Sequence, residues 1–123
     1  MSKRLFIDVD DTLVKYEDST SQEQHPYGYY MGTPWNPNTK LIEGIKQYRK
    51  DHPEDLIVVW SGGGRDYAQM WVDRLLPGLG IVGMGKSSDV AETMVRSQDI
   101  VVDDVIDFPC MAEVFGPDDW PTS

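Results

Sequence analysis

Cysteine, basic side chains and long apolar runs are all scarce in this chain, and each scarcity removes a class of protein. The single cysteine, Cys110, cannot close a disulfide within the chain. That sets aside the small disulfide-stapled scaffolds and makes a reducing compartment, the cytoplasm by default, the expected location. Lysine and arginine number 11 against 21 Asp and Glu, a net charge of -10. So acidic a chain repels polynucleotide backbones and anionic lipid surfaces, and it lacks the cations for the basic stripe of a backbone-tracking protein. No apolar run approaches the ~20 residues that span a bilayer. Met1-Ser2-Lys3-Arg4 leads into an apolar stretch that meets an acid at Asp8, which is not the pattern of a signal peptide. Internal repeats, low-complexity tracts and interdomain linkers are also missing.

What is present fits one domain over residues 1–123, long enough to bury roughly two-thirds of its chain surface. Arg4-Leu5-Phe6-Ile7-Asp8-Val9 reads as a buried strand that turns abruptly acidic. Residues 14–38 have no clear period and are rich in Ser, Gln, Tyr, Gly and Pro; they read as an irregular flap, a kind of long loop that is usually functional. Helical spacing begins near Thr39, with Leu41, Ile42, Ile45 and Tyr48 on one face, and Asn36-Pro37 suits its cap and first turn. Leu56 to Trp60 is a second strand, closed by Ser61-Gly62-Gly63-Gly64. Arg65 to Leu76 reads as a helix with Tyr67, Trp71 and Leu75 at i, i+4 and i+8. A short third strand lies near Gly80 to Met84, and a third helix opens at Ser88 or Asp89, where Asp89 and Glu92 have capping-box spacing. Asp99 to Val102 is a fourth strand, ending in Asp103-Asp104, and Ala112 to Phe115 suits a short edge strand.

Alternating strands and helices with near-continuous apolar strands imply an α/β fold around a parallel sheet covered on both faces. Each strand ends in polar or glycine-rich residues: Asp8-Val9-Asp10-Asp11-Thr12, then Ser61, then Lys86, then Asp103-Asp104. In open α/β sheets ligands bind beyond those carboxyl ends. Four chemically loaded segments, scattered in sequence, should therefore converge.

This set resembles the haloacid dehalogenase superfamily of phosphohydrolases. Its four motifs are matched in order by Asp8-x-Asp10-x-Thr12, Ser61, Lys86 and Asp103-Asp104, over roughly residues 4 to 107. The resemblance implies a Rossmann-like three-layer fold with strand order 3-2-1-4(-5) and an aspartyl-phosphate mechanism. It implies Asp8 as nucleophile and metal ligand. Asp10 would be acid and base through its side chain and a metal ligand through its carbonyl. Thr12, Ser61, Gly62 and Lys86 would bind the phosphate. Asp104 would complete the shell of a Mg²⁺ ion, with Asp103 the water-mediated partner or the direct one. The chemistry is coherent: a phosphoryl group is a dense anion that carboxylates alone repel, and a hard cation with oxygen ligands resolves the conflict. Arg65 either helps hold phosphate or simply starts its helix. Asp107 departs from the commoner family spacing. His25 reads as incidental, and Trp35, Trp60, Trp71 and Trp120 as packing, while Tyr27, Tyr29 and Tyr30 could line an entrance.

Relatives often carry a cap domain, inserted between the first and second motifs or between the second and third. Neither gap here has room for a large one, so the resemblance points to the capless subgroup. The acidic charge favours a small phosphomonoester, a sugar phosphate or nucleotide, with a polynucleotide end as the alternative substrate. A receiver-type signalling module uses similar side chains, but there the phosphorylated Asp comes midway and Ser/Thr and Lys come last. A non-catalytic phosphate binder would not need both Asp8 and Asp10.

Overall fold

The computed structural model describes residues 3–15, 36–87, 94–105 and 112–121. A five-stranded parallel sheet dominates it: β1 (Arg4–Asp8), β4 (Leu56–Ser61), β5 (Val82–Gly85), β6 (Ile100–Val102) and β7 (Glu113–Phe115). Two short strands, β2 (Val14–Lys15) and β3 (Asn36–Pro37), form a separate antiparallel ladder, and two helices, α1 (Thr39–Asp51) and α2 (Arg65–Leu75), lie wholly within the described residues. The large sheet is ordered β5-β4-β1-β6-β7. These labels differ from a count of four or five strands because β2 and β3 interrupt it. Counted within the sheet alone, the order is third, second, first, fourth, fifth.

The central strands β1, β4 and β6 are buried on both faces, and the pleat divides their side chains between two clusters. Leu5, Ile7, Ile57, Val59 and Val102 pack with Leu41, Ile42 and Ile45 of α1 and Ala68 and Trp71 of α2. Phe6, Val58, Trp60 and Val101 point the other way and pack with Val95 and Ala112. Period-2 alternation explains how an unbroken apolar strand fills two cores at once. Trp60, Trp71 and Trp120 are all buried, in agreement with packing roles.

Register matters most for function. Asp8 pairs with Trp60, Ile7 with Val102, and Ser61 with Gly85. Because parallel neighbours run in step, Asp8, Ser61, Lys86 and Asp103 all fall at one rim.

Several expectations need correction. Residues 14–38 are not irregular throughout, since their ends pair as β2 and β3. The cap of α1 is Asn38, not Asn36-Pro37, and its side chain accepts a hydrogen bond from the Leu41 N–H at 3.3 Å. Asn36 and Pro37 are instead held in the ladder opposite Lys15 and Val14. Asp99 precedes β6 instead of opening it. It is buried and its carboxylate meets the Arg4 guanidinium at 2.7 Å, so the charge on each offsets the desolvation of the other. The rest of the expected flap, with His25, Tyr27, Tyr29, Tyr30 and Trp35, lies outside the described residues, as do the expected helix start at Ser88 or Asp89, Asp107 and Cys110. Among the described residues no helix is long and apolar enough to cross a membrane.

Candidate functional site

The site begins where β1 stops. After Asp8 the chain folds back in a tight turn: the N–H groups of Leu13 and Val14 reach the Val9 carbonyl at 2.9 and 3.0 Å, and the Thr12 N–H reaches it at 3.2 Å. Asp11 sits at φ 64, a left-handed conformation that Asp tolerates better than most residues. Asn38 locks this turn from outside. Its side-chain amide donates to the Thr12 carbonyl at 2.9 Å and to the Pro117 carbonyl at 3.0 Å.

Within the turn Thr12 is fully buried, and its hydroxyl donates to Asp8 Oδ2 at 3.1 Å. Thr12, expected among the phosphate-binding residues, therefore holds the carboxylate of Asp8 and presents no surface of its own. Lys86 Nζ lies 3.2 Å from Asp8 Oδ1 and makes a second, very short contact to Asp103 Oδ2. Its backbone N–H donates to the Ser61 carbonyl at 2.8 Å, which ties the end of β5 to the end of β4. The ammonium also lies 5.8 Å from the Trp60 ring centroid, within the range where a cation is attracted to an aromatic face.

Asp103 is fully buried, and its Oδ1 accepts the Val105 N–H at 3.0 Å. Asp104, next to it, is exposed. Carboxylate oxygens of Asp8, Asp103 and Asp104 all lie within 4.8 Å of one another. Crowding and burial act on the protonation of Asp8 and Asp103. Burial, with the charge of Asp103 adding to it and Lys86 opposing, pushes Asp8 up from 3.8 to about 7. Asp103 is also raised, chiefly by burial, against the bonds it accepts from Lys86 and Val105. Burial alone would lower Lys86, but its bonds to Asp103 and Asp8 and their negative charges outweigh that and hold it above its ordinary value. An all-oxygen set of clustered acids, two of them, Asp8 and Asp103, raised by burial, is suited to a hard divalent cation, which relieves their repulsion and takes no nitrogen or sulfur ligand.

The other expected residues divide. Ser61 is buried, and its Oγ accepts the Gly63 N–H at 3.0 Å. Gly62 is exposed on the loop that follows, and Gly64, at φ 104, caps α2 without a side chain. Arg65 stands apart: it is 76% exposed and faces the Asp66 carboxylate at 3.3 Å. Asp10 does not join the acid cluster through its side chain. Its Oδ1 accepts a hydrogen bond of 2.6 Å from the Tyr67 hydroxyl. Nothing in the sequence marked Tyr67 for this, because at helical spacing with Trp71 it is indistinguishable from a core residue. Asn38 carried a weak signal, a cap-type residue three positions before Leu41, which the neighbouring Asn36-Pro37 obscured.

In comparisons with known proteins, no family model, curated protein or solved structure matches the chain.

Proposed function

We propose that the chain is a Mg²⁺-dependent phosphomonoester hydrolase of the haloacid dehalogenase type, capless and Rossmann-like, with Asp8 as nucleophile. The observation that carries this reading is the position of Asp8. It ends the central strand with one oxygen on Thr12 and the other on Lys86, within 4.8 Å of oxygens from Asp103 and Asp104. Asp8, Asp103 and Asp104 would hold the cation. When bound, it supplies positive charge that favours ionised Asp8 and lets a phosphate approach the acids.

The chain's own residues account for the rest. A carboxylate oxygen of Asp8 attacks phosphorus, the bond from phosphorus to the ester oxygen breaks, and that oxygen takes a proton from the Asp10 carboxyl. Asp10, now ionised, takes a proton from water as the water attacks phosphorus. The bond to Asp8 breaks, and inorganic phosphate leaves. The Ser61 hydroxyl would donate to a non-bridging oxygen, while the N–H groups of Gly63 and Gly64 donate to the Ser61 Oγ and carbonyl at 3.0 and 3.1 Å and hold the loop that carries it. Lys86 favours the ionised form of Asp8 against burial and offsets the incoming charge. Only α2 separates β4 from β5, which leaves no space there for a cap and favours an open site. The net charge of -10 favours small substrates over polynucleotide ends.

The test is a screen of sugar phosphates, nucleotides, an aryl phosphate and 3′-phosphorylated oligonucleotides, with Mg²⁺ and with a chelator. Repeated turnover of a small phosphomonoester that stops with the chelator is expected. Strong preference for an oligonucleotide end, with a steep salt dependence, would shift the substrate class. A stable phosphoryl-Asp8 without repeated turnover would instead favour a receiver or binding module.

A further inference from the structure

We infer that Tyr67 is a positioning residue for the proton transfers of Asp10, and that it acts by fixing which carboxyl oxygen carries the proton. The inference rests on the phosphatase reading and adds a residue to it.

Tyr67 lies in the first turns of α2, far from Asp10 in sequence, yet its hydroxyl donates to Asp10 Oδ1 at 2.6 Å. Its ring has little freedom. It is 8% exposed and meets Trp71 edge-on, with ring centroids 6.5 Å apart and an interplanar angle of 86°. Its other side lies so close to the loop after β4 that a Cβ on Gly63 would sit 3.0 Å from Tyr67 Cδ2. Gly63 is the residue whose N–H holds Ser61 Oγ. One rigid ring thus spans the loop that carries Ser61 and the turn that carries Asp10.

The chemistry follows from the donor. A phenol that donates to Oδ1 occupies that oxygen as an acceptor, so a neutral Asp10 carries its proton on Oδ2. When the ester bond breaks, that proton moves from Oδ2 to the departing oxygen, and the carboxylate left behind keeps the Tyr67 bond. Without the phenol Oδ1 loses this donor, and the preference for the proton on Oδ2 weakens. The cost should fall on substrates that depend on protonation to leave, and spare those whose leaving group is already a stable anion.

The experiment measures kcat/KM for alkyl phosphates and for a series of aryl phosphates graded by the acidity of the phenol, for wild type and Tyr67→Phe. Tyr67→Phe should lower kcat/KM for alkyl phosphates by about tenfold, less than the roughly 10²–10⁴-fold that a whole general acid contributes, and much less for the most acidic phenol. In an Asp10→Asn background the same change should have no further effect on the leaving-group dependence, because its route is gone. Trp71→Phe disturbs the same packing while keeping the Tyr67 hydroxyl and the Asp10 carboxyl, and should lower the melting temperature while leaving that dependence unchanged. Equal losses across the whole series, or an effect that persists with Asn at position 10, would overturn the inference while leaving the phosphatase reading intact. A wild-type protein inactive on every phosphomonoester would overturn both.

Discussion

At the scale of single residues, the site is a conflict among buried charges, and substitutions should expose it. Asp8→Asn should reduce aryl phosphate turnover to background, since an amide cannot attack phosphorus. The same change should raise metal-free stability near neutral pH by about 1 kcal/mol, because a neutral side chain no longer crowds Asp103. Steady-state kinetics and a thermal melt on one preparation check both. The acid pair should separate in the opposite sense. Asp103 is buried and bonds Lys86 and the Val105 N–H, so Asp103→Ala leaves a shielded ammonium with one carboxylate fewer and should cost about 1–3 kcal/mol. Asp104 is exposed. Asp104→Ala should change stability by less than about 0.5 kcal/mol and raise the Mg²⁺ concentration needed for half-maximal activity. A melt and a Mg²⁺ titration of both variants distinguish them, and the reverse pattern would mean that the two roles are exchanged.

At the scale of elements, close approach decides what can change. Gly83 on β5 lies so near α2 that an added Cβ would sit 2.5 Å from the backbone nitrogen of Gln69, and its N–H donates to Gln69 Oε1 at 2.8 Å. Gly83→Ala should push strand and helix apart and cost about 1–3 kcal/mol, read by denaturant unfolding. The strands themselves were legible in the sequence because burial on both faces leaves an unbroken apolar run, and each run ended where chemistry began. Less legible was anything that depends on a long-range partner. Asn38 and Asn36 look alike until the carbonyls of Thr12 and Pro117 arrive beside one of them. Val14-Lys15 and Asn36-Pro37 are too short for periodicity to register. Thr12 reads as a ligand for phosphate until its complete burial assigns its hydroxyl to Asp8. Tyr67 reads as core because it is core, and its hydroxyl alone reaches the site.

At the scale of the whole molecule, the site costs stability, and pH measures the cost. Asp8 is raised from 3.8 to about 7, so the folded protein binds this proton more tightly than the unfolded chain. The contribution is fully present below about 3.8 and is lost as pH rises through about 7. Self-repulsion at a net charge of -10 has the same sign. In a chelator the melting temperature should therefore fall between pH 5 and pH 8, and the slope should be shallower in Asp8→Asn. Added Mg²⁺ should raise it more at pH 8 than at pH 5, since a cation held by the three acids would bind only the folded form and compete with the proton. An identical response at both pH values would argue against a cation at Asp8.

The ladder between β2 and β3 has a consequence for how the chain can be remade. Its last pair, Lys15 opposite Asn36, brings the two ends of segment 16–35 together on neighbouring strands. The Asn38 N–H seals the base on the Leu13 carbonyl at 2.8 Å. Both attachment points of the segment are thus held on one short ladder. Closing a loop across that base costs only slightly more as the loop lengthens. Replacing residues 16–35 with a two-residue Asn-Gly turn should leave the fold and the Asp8-dependent hydrolysis of a small aryl phosphate in place. A larger insert whose own ends lie close together should be accepted at the same junction, with selectivity the property that changes.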